Sequence, residues 1–460
     1  MKINFLFTIK EQNMRYFIRI TIFWIIFYCM TTSHKNYYPV FKRVVHPFQE
    51  ITKDYDRKYQ DFTYKENIKT VLLHKEGWEL SYPIIELNGE VKLKLSFDDF
   101  NAYVRNYSYT LIHCDADWRE SDLLPSDYIE GFVENQIYNY DYSFNTLHKY
   151  IHYYLTIPNE DIQPKLSGNY ILKVYENYDE NDIVLTKRFA IVDSDVDIYA
   201  GVKRPSLASY RNSGQEIDFT IQYNFYQIND PFTEIKVVIT QNNRWDNAIT
   251  DLKPLFIRNN NLIYDYNEEN VFPGGSEYRS FDIKSIRYQT EYIKQIYLRK
   301  PYYHIELYPD KPKPFKVYFF ENELNGKYYI DIQEENNSET DADYVFVHFY
   351  LPYDVPLIDG NIFVFGALSD WNFTKINQMV YNYEKKTYEL TMLLKQGYYN
   401  YEYVFVKEGE NKANNILIEG SHYETENDYL IYVYHRDNRF RYDKLIGIKI
   451  INSLNPNKDF

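Results

Sequence analysis

Cysteine is almost missing from this chain: Cys29 and Cys114 are the two it has in 460 residues. Cys29 lies within a segment that reads as an export leader, and Ile26-Phe27-Tyr28 before it are too bulky for a lipoprotein cleavage site. The mature chain then keeps Cys114 alone, which excludes an internal disulfide and leaves that thiol to act as a small buried apolar side chain. Basic charge is also short, with 51 Lys and Arg against 66 Asp and Glu and a formal charge of −15. A nucleic-acid partner needs clustered Lys and Arg to neutralise phosphates, so that class of function is disfavoured. Long apolar runs are wanting as well. Residues 20–30 form an apolar run of 11, short of the roughly 20 needed to cross a bilayer. Preceded by the basic Met14-Arg15-Tyr16-Phe17-Ile18-Arg19 and followed by Thr31, Thr32 and Ser33, that run reads as a signal peptide over residues 1–33, with Met14 a second candidate start.

The signatures of common hydrolases are absent too. No Gly-x-Ser-x-Gly elbow and no His-Glu-x-x-His occurs, and Gly274-Gly275 lacks the following Lys-Ser or Lys-Thr of a phosphate loop, so it reads as a turn. His113, Asp115 and Asp117 alternate as they would on one strand face, and His148 and His152 are close in sequence, yet neither set brings the further donors a zinc site needs. Carboxylate pairs such as Asp98 and Asp99 are abundant but undirected. The reading is a non-enzyme with no metal and no cofactor.

What the chain has in excess is aromatic residues: 52 Tyr and 30 Phe, with Gly at 15. Aromatic and β-branched excess favours strands, and the length exceeds one core, so an all-β protein of about three domains is predicted. Residues 34–66 lack periodicity and read as an N-terminal arm. Strand-length runs closed by polar turns then define tandem immunoglobulin-like β-sandwiches. The first is placed at residues 67–194 and the second at 195–332, where Ile217-Asp218-Phe219-Thr220-Ile221 and Ile235-Lys236-Val237-Val238-Ile239 alternate. Polar residues 333–343 read as a linker, and 344–460 as a third sandwich.

The candidate functional residues are Asp115, Asp117, Trp118, Ser121, Asp122, Tyr128 and Phe132, because Trp and Tyr give large contact area at low entropic cost while Asp supplies orientation. They are assigned to partner binding. Closure of the sandwich core by Trp118, with Asp122 and Asp127 shaping turns, is the equal alternative.

Tyr82-Pro83-Ile84-Ile85-Glu86-Leu87, Tyr107-Ser108-Tyr109-Thr110-Leu111-Ile112-His113-Cys114-Asp115-Ala116-Asp117-Trp118, Tyr140-Asp141-Tyr142-Ser143-Phe144 and Ser167-Gly168-Asn169-Tyr170-Ile171-Leu172 follow in an order that resembles the first domain of the plug protein of the type IX secretion system. Asn270-Val271-Phe272-Pro273-Gly274-Gly275 and Ile418-Glu419-Gly420-Ser421-His422-Tyr423-Glu424 extend the resemblance over residues 70–450. It implies a periplasmic protein, peripheral to the membrane through a protein partner, that closes the periplasmic opening of the outer-membrane translocon barrel. Nothing in the sequence points to self-association. Ile362-Phe363-Val364-Phe365-Gly366-Ala367-Leu368-Ser369-Asp370-Trp371 resembles early-set immunoglobulin-like domains that include glycogen-binding modules. That likeness implies a carbohydrate-binding alternative through Trp371, although Glu402 stands where such modules carry Lys and no second Trp follows.

Overall fold

The computed structural model describes residues 58–460 apart from 102, 335–336, 437–438, 440, 456–457 and 459. The leader, Cys29 and residues 34–57 of the expected arm lie outside the described residues. The rest is nearly all β, arranged as tandem sandwiches.

The first sandwich opposes two sheets. One runs in the order Phe62–Thr63, Ile183–Val192, Gly168–Glu176, Tyr107–Cys114, Asn135–Gln136, with Ile84–Glu86 parallel beside Ile183–Val192. The other runs Ile68–Lys75, Leu93–Asp99, Ile151–Ile157, Asn139–Tyr142. Leu93, Leu95 and Phe97, with Tyr153 of the neighbouring strand, face Tyr107, Tyr170 and Leu172 of the opposite sheet, all buried. Rings do much of the filling: Phe97 stacks on Tyr153 at 5.3 Å and meets Tyr107 edge-on at 5.2 Å.

The second sandwich opposes Asp197–Lys203, Gly214–Gln222, Asn261–Tyr264 and Phe256–Arg258 to a sheet ordered Arg244–Ile249, Ile235–Gln241, Asp428–His435, Lys444–Asn452. Its last two strands therefore come from the C-terminus. Asp428–His435 pairs from Tyr429 onward with Ile235–Gln241, Ile235 opposite His435 and Gln241 opposite Tyr429. This pairing departs from the sequence division at residues 332 and 344. The third sandwich, whose strands run from Arg279–Asp282 to Gly397–Lys407, is inserted between Val271–Pro273 and Asp428–His435. The reason lies in the buried character of the C-terminal strand. Tyr429, Ile431 and Val433 enter the second core, while Leu430, Tyr432 and Tyr434 on its other face pack against Tyr82, Ile84 and Ala190 of the first sandwich. A strand covered on both sides carries no alternation to say which sheet it joins. Residues 333–343, read as a linker, include the short helix Ser338–Asp341 and the buried Asp343, whose carboxylate accepts from the Leu147 N–H at 2.6 Å.

The seam between the second and third sandwiches passes through the Pro273-Gly274-Gly275 turn. Gly274 donates to the Ser213 carbonyl at 2.8 Å, and a Cβ there would overlap the His422 carbonyl oxygen, so the turn needs glycine for close backbone approach. Gly274→Ala is expected to lower stability by about 1–3 kcal/mol, seen as a lower urea midpoint with an unchanged slope.

Candidate partner-binding surface

The strand Tyr107–Cys114 ends in a tight turn in which Asp115 N–H donates to Arg119 O at 2.8 Å and Trp118 N–H donates to Asp115 O at 2.9 Å. Because the strand stops at Cys114, His113, Asp115 and Asp117 do not share the strand face that their alternation suggested. His113 points inward. Its Nδ1 lies 2.9 Å from Ser121 Oγ, and burial pushes its pKa down to about 4.

Four of the seven expected binding residues serve the chain's own packing, Asp115 and Trp118 at the seam with the second sandwich and Ser121 and Tyr128 inside the first. Asp115 accepts from Arg436 at 2.7 Å and from the Asp443 N–H at 3.0 Å, tying the turn to the second sandwich. Burial raises the Asp115 pKa despite the Arg436 hydrogen bond. Trp118 is 5% exposed, meets Trp245 of the second sandwich edge-on at 5.0 Å, and carries the Arg188 guanidinium 4.4 Å from its ring. Ser121 and Tyr128 are buried too, the latter donating to Leu111 O at 3.2 Å. Burial thus removes Trp118, Ser121 and Tyr128 from the surface a partner would touch. Asp117 and Asp122 are exposed, and Asp117 pairs with Arg119 at 3.3 Å.

Phe132 is different. It begins a stretch of the first sandwich in which aromatic side chains stand in solvent: Phe132 is 68% exposed, Tyr138 70%, Tyr142 62% and Phe144 70%. The strand Asn139–Tyr142 is exposed at every position and pairs on one side only, with Ile151–Ile157, so it forms a sheet edge among the described residues. Tyr140 and Tyr142 share a face two residues apart, their rings 5.9 Å from each other. The backbone beneath is fixed: Phe144 N–H donates to Thr340 O at 3.0 Å and Tyr150 N–H to Ser143 Oγ at 3.0 Å. An exposed aromatic edge on a rigid base can bind by adding a strand or by inserting rings into a partner's pockets. Tyr138, Tyr142 and Phe144 were not singled out from the sequence. Their signal is aromatics at every second position from Tyr138 to Phe144, separated by Asn139, Asp141 and Ser143.

Trp371 lines a cleft of about 110 Å³ where all three sandwiches meet, beside Tyr82, Lys187, Asn242, Lys327 and Asp370. Its ring is used in packing. It meets Phe365 edge-on at 5.3 Å and closes over Gly326, where a Cβ would lie 2.5 Å from its Cη2. Glu402, at the position where the likeness calls for Lys, is buried against Arg244 at 3.0 Å, and burial pushes its carboxyl up to about 7. That geometry favours a seam over a sugar platform.

Among the described residues, Glu216, Asp218 and Asp265 form the group that could share a cation. The Lys203 ammonium already occupies it, 3.2 Å from Glu216 and 3.0 Å from Asp265.

Glu277, just after the Gly-Gly turn, makes the seam sensitive to pH. It is buried, and its Oε1 accepts from Tyr318 at 2.5 Å and from the Glu426 N–H at 3.2 Å, while burial pushes its carboxyl up to about 7. The folded chain then holds a proton that the unfolded chain releases from about pH 4.5 upward, so stability falls as pH rises from about 4.5 to about 7. Glu277→Gln is expected to remove about 1–3 kcal/mol of that fall, measured as urea stability at acid and mildly alkaline pH.

Residues 68–193, spanning nearly all of the first sandwich, match the family described as the type 9 secretion system plug protein 1st domain. A crystal structure of a hypothetical protein from Parabacteroides merdae is 37% identical, with 86% of this chain and 99% of that one covered and a TM-score of 0.83. No curated protein matches. With the plug-domain match on the sandwich that carries the aromatic edge, the chain belongs to the type IX secretion system plug protein family.

Proposed function

We propose that this chain is a non-catalytic, periplasmic component of type IX secretion that binds the outer-membrane translocon barrel from the periplasmic side and closes its opening. The observation that carries this reading is the exposed aromatic edge on the domain that matches the family. Obstruction of a wide pore needs bulk, stiffness and an interface that can release. Sandwiches locked together by buried hydrogen bonds, such as Tyr434 OH to Asn169 at 2.9 Å and Tyr82 OH to Asp428 at 2.9 Å, suit the first two requirements. Aromatic side chains on a rigid edge suit the third, since a few such anchors carry most of an interface's energy.

The test is capture of the barrel from detergent-solubilised outer membranes by the tagged chain. Phe132→Ser, Tyr142→Ser and Phe144→Ser are each expected to weaken capture by about tenfold or more with little change in stability. A chain that recovers no barrel, in cells whose envelope permeability does not change when the gene is deleted, would end this reading.

A further inference from the structure

We propose that residues 311–320 form a membrane-facing finger that docks on an anionic lipid surface. The segment reads Lys311-Pro312-Lys313-Pro314-Phe315-Lys316-Val317-Tyr318-Phe319-Phe320 and contains no Asp or Glu, in a chain whose formal charge is −15. Its apolar tips stand almost free: Phe315 is 98% exposed, Val317 91% and Phe319 75%. Phe315 stands at a turn closed by the Lys316 N–H donating to the Lys313 carbonyl at 3.1 Å, and Val317 and Phe319 flank Tyr318, which turns inward and donates to Glu277 Oε1 at 2.5 Å.

The base of the finger is fixed to the third sandwich. Arg279 pairs with Asp310 at 2.8 Å, Lys313 N–H donates to Ile418 O at 2.7 Å, and Leu324 N–H donates to Asn400 at 2.5 Å. Pro314 also lies close to Gly420, where a Cβ would come within 3.1 Å of the Pro314 carbonyl oxygen. Apolar side chains displayed on so firm a base mark an interaction surface.

Charge chooses the occupant. Lys311 and Lys316 are exposed beside the apolar tips, and this locally cationic, aromatic composition is complementary to an anionic headgroup layer over an apolar interior. No helix among the described residues is long and apolar enough to cross a membrane, so the contact would be superficial. The inference needs only this segment and does not depend on the plug reading.

The experiment is co-sedimentation of the purified full chain with vesicles of phosphatidylethanolamine and phosphatidylglycerol, compared with phosphatidylcholine alone. Preferential binding to the anionic vesicles is expected, weakening with added salt. Phe315→Ser and Phe319→Ser should each reduce binding about tenfold, and Lys311→Gln and Lys316→Gln about fivefold each, with the thermal midpoint unchanged. In Phe319→Trp, the added fluorescence should shift to the blue with the anionic vesicles. Equal or absent binding to both vesicle types, or binding unchanged in the Phe variants, would overturn the proposal. So would finger variants that lose barrel capture while vesicle binding is absent, since that outcome places a protein on the finger. Barrel capture by a chain that ignores vesicles leaves the plug reading standing, so the two can fail separately.

Discussion

Replacing Lys395 by methionine is expected to lower the free energy of unfolding by about 3–5 kcal/mol, measured as a reduced denaturant midpoint at constant slope. Lys395 ends a strand of the third sandwich, and its ammonium lies 2.6 Å from Asp98 of the first. Both side chains are nearly sealed from solvent, at 2% and 1% exposure. His152 Nδ1 at 2.7 Å and the Tyr344 hydroxyl at 2.7 Å complete the shell of Asp98, and the Tyr150 ring lies 4.3 Å from the ammonium. Methionine fills the volume but leaves a carboxylate buried without its cation, which costs far more than losing an exposed pair.

The pH dependence supplies a second signature. Burial pushes the Asp98 carboxyl up, but the Lys395 ammonium and His152 outweigh it and hold the group below the usual carboxylate range. A carboxyl depressed in the folded state contributes stability above its unfolded pKa of about 4, and that contribution is lost as pH falls through the folded value. In Lys395→Met burial acts with less opposition, the carboxyl rises, and the variant loses stability as pH increases. The gap between the two proteins should therefore narrow on acidification, first above about pH 4 as the raised carboxyl of the variant takes up its proton, then below about pH 4 as the depressed carboxyl of the parent chain does. Adding Asp98→Asn to Lys395→Met should restore part of the loss, because it removes the stranded charge.

How much of this was legible in the sequence varies with the range of the interaction. The alternating run Ile217–Ile221 lies within the strand Gly214–Gln222 and sends Ile217, Phe219 and Ile221 into the second core, because one-sided burial writes a local period. Asp428–His435 was opaque. Buried throughout, it carries no period, and its partner Ile235–Gln241 lies on the far side of an inserted domain. The Asp98 cluster was equally hidden, since its members join strands of two sandwiches that only the fold brings together. At the candidate site the exposed aromatic edge follows from the short alternating run from Tyr138 to Phe144, whereas Phe132, marked in advance, is exposed ahead of that run. Trp118 was marked as well. Its composition and turn context are those of a binding residue, and the ring that covers it belongs to Trp245 in another domain.

Trp118→Ala is expected to cost about 3–5 kcal/mol, and the same measurement decides which of the two roles Trp118 plays. The residue sits at φ 63°, a left-handed conformation disfavoured for a bulky side chain, so packing must hold it there. The packing is specific: Trp245 edge-on at 5.0 Å, and Arg188 over both indoles at 4.4 and 5.4 Å while its Nε donates to Tyr59 O at 2.7 Å. Without the indole, Arg188 loses a ring that shields it and the seam between the first two sandwiches opens beside Ile112 and Ile171. Glycine should be tolerated better than alanine by about 1 kcal/mol, because it relieves the backbone while losing the same contacts. Trp245→Ala should destabilise similarly, and the double variant should fall short of the sum by about 0.5–1.5 kcal/mol, the coupling of an edge-on aromatic pair. A Trp118 that served a partner would behave in the opposite way: its removal would leave unfolding nearly unchanged and abolish barrel capture. Loss of stability together with coupling to Trp245 assigns it to the seam and leaves partner contact to the exposed aromatic side chains of Phe132, Tyr138, Tyr142 and Phe144.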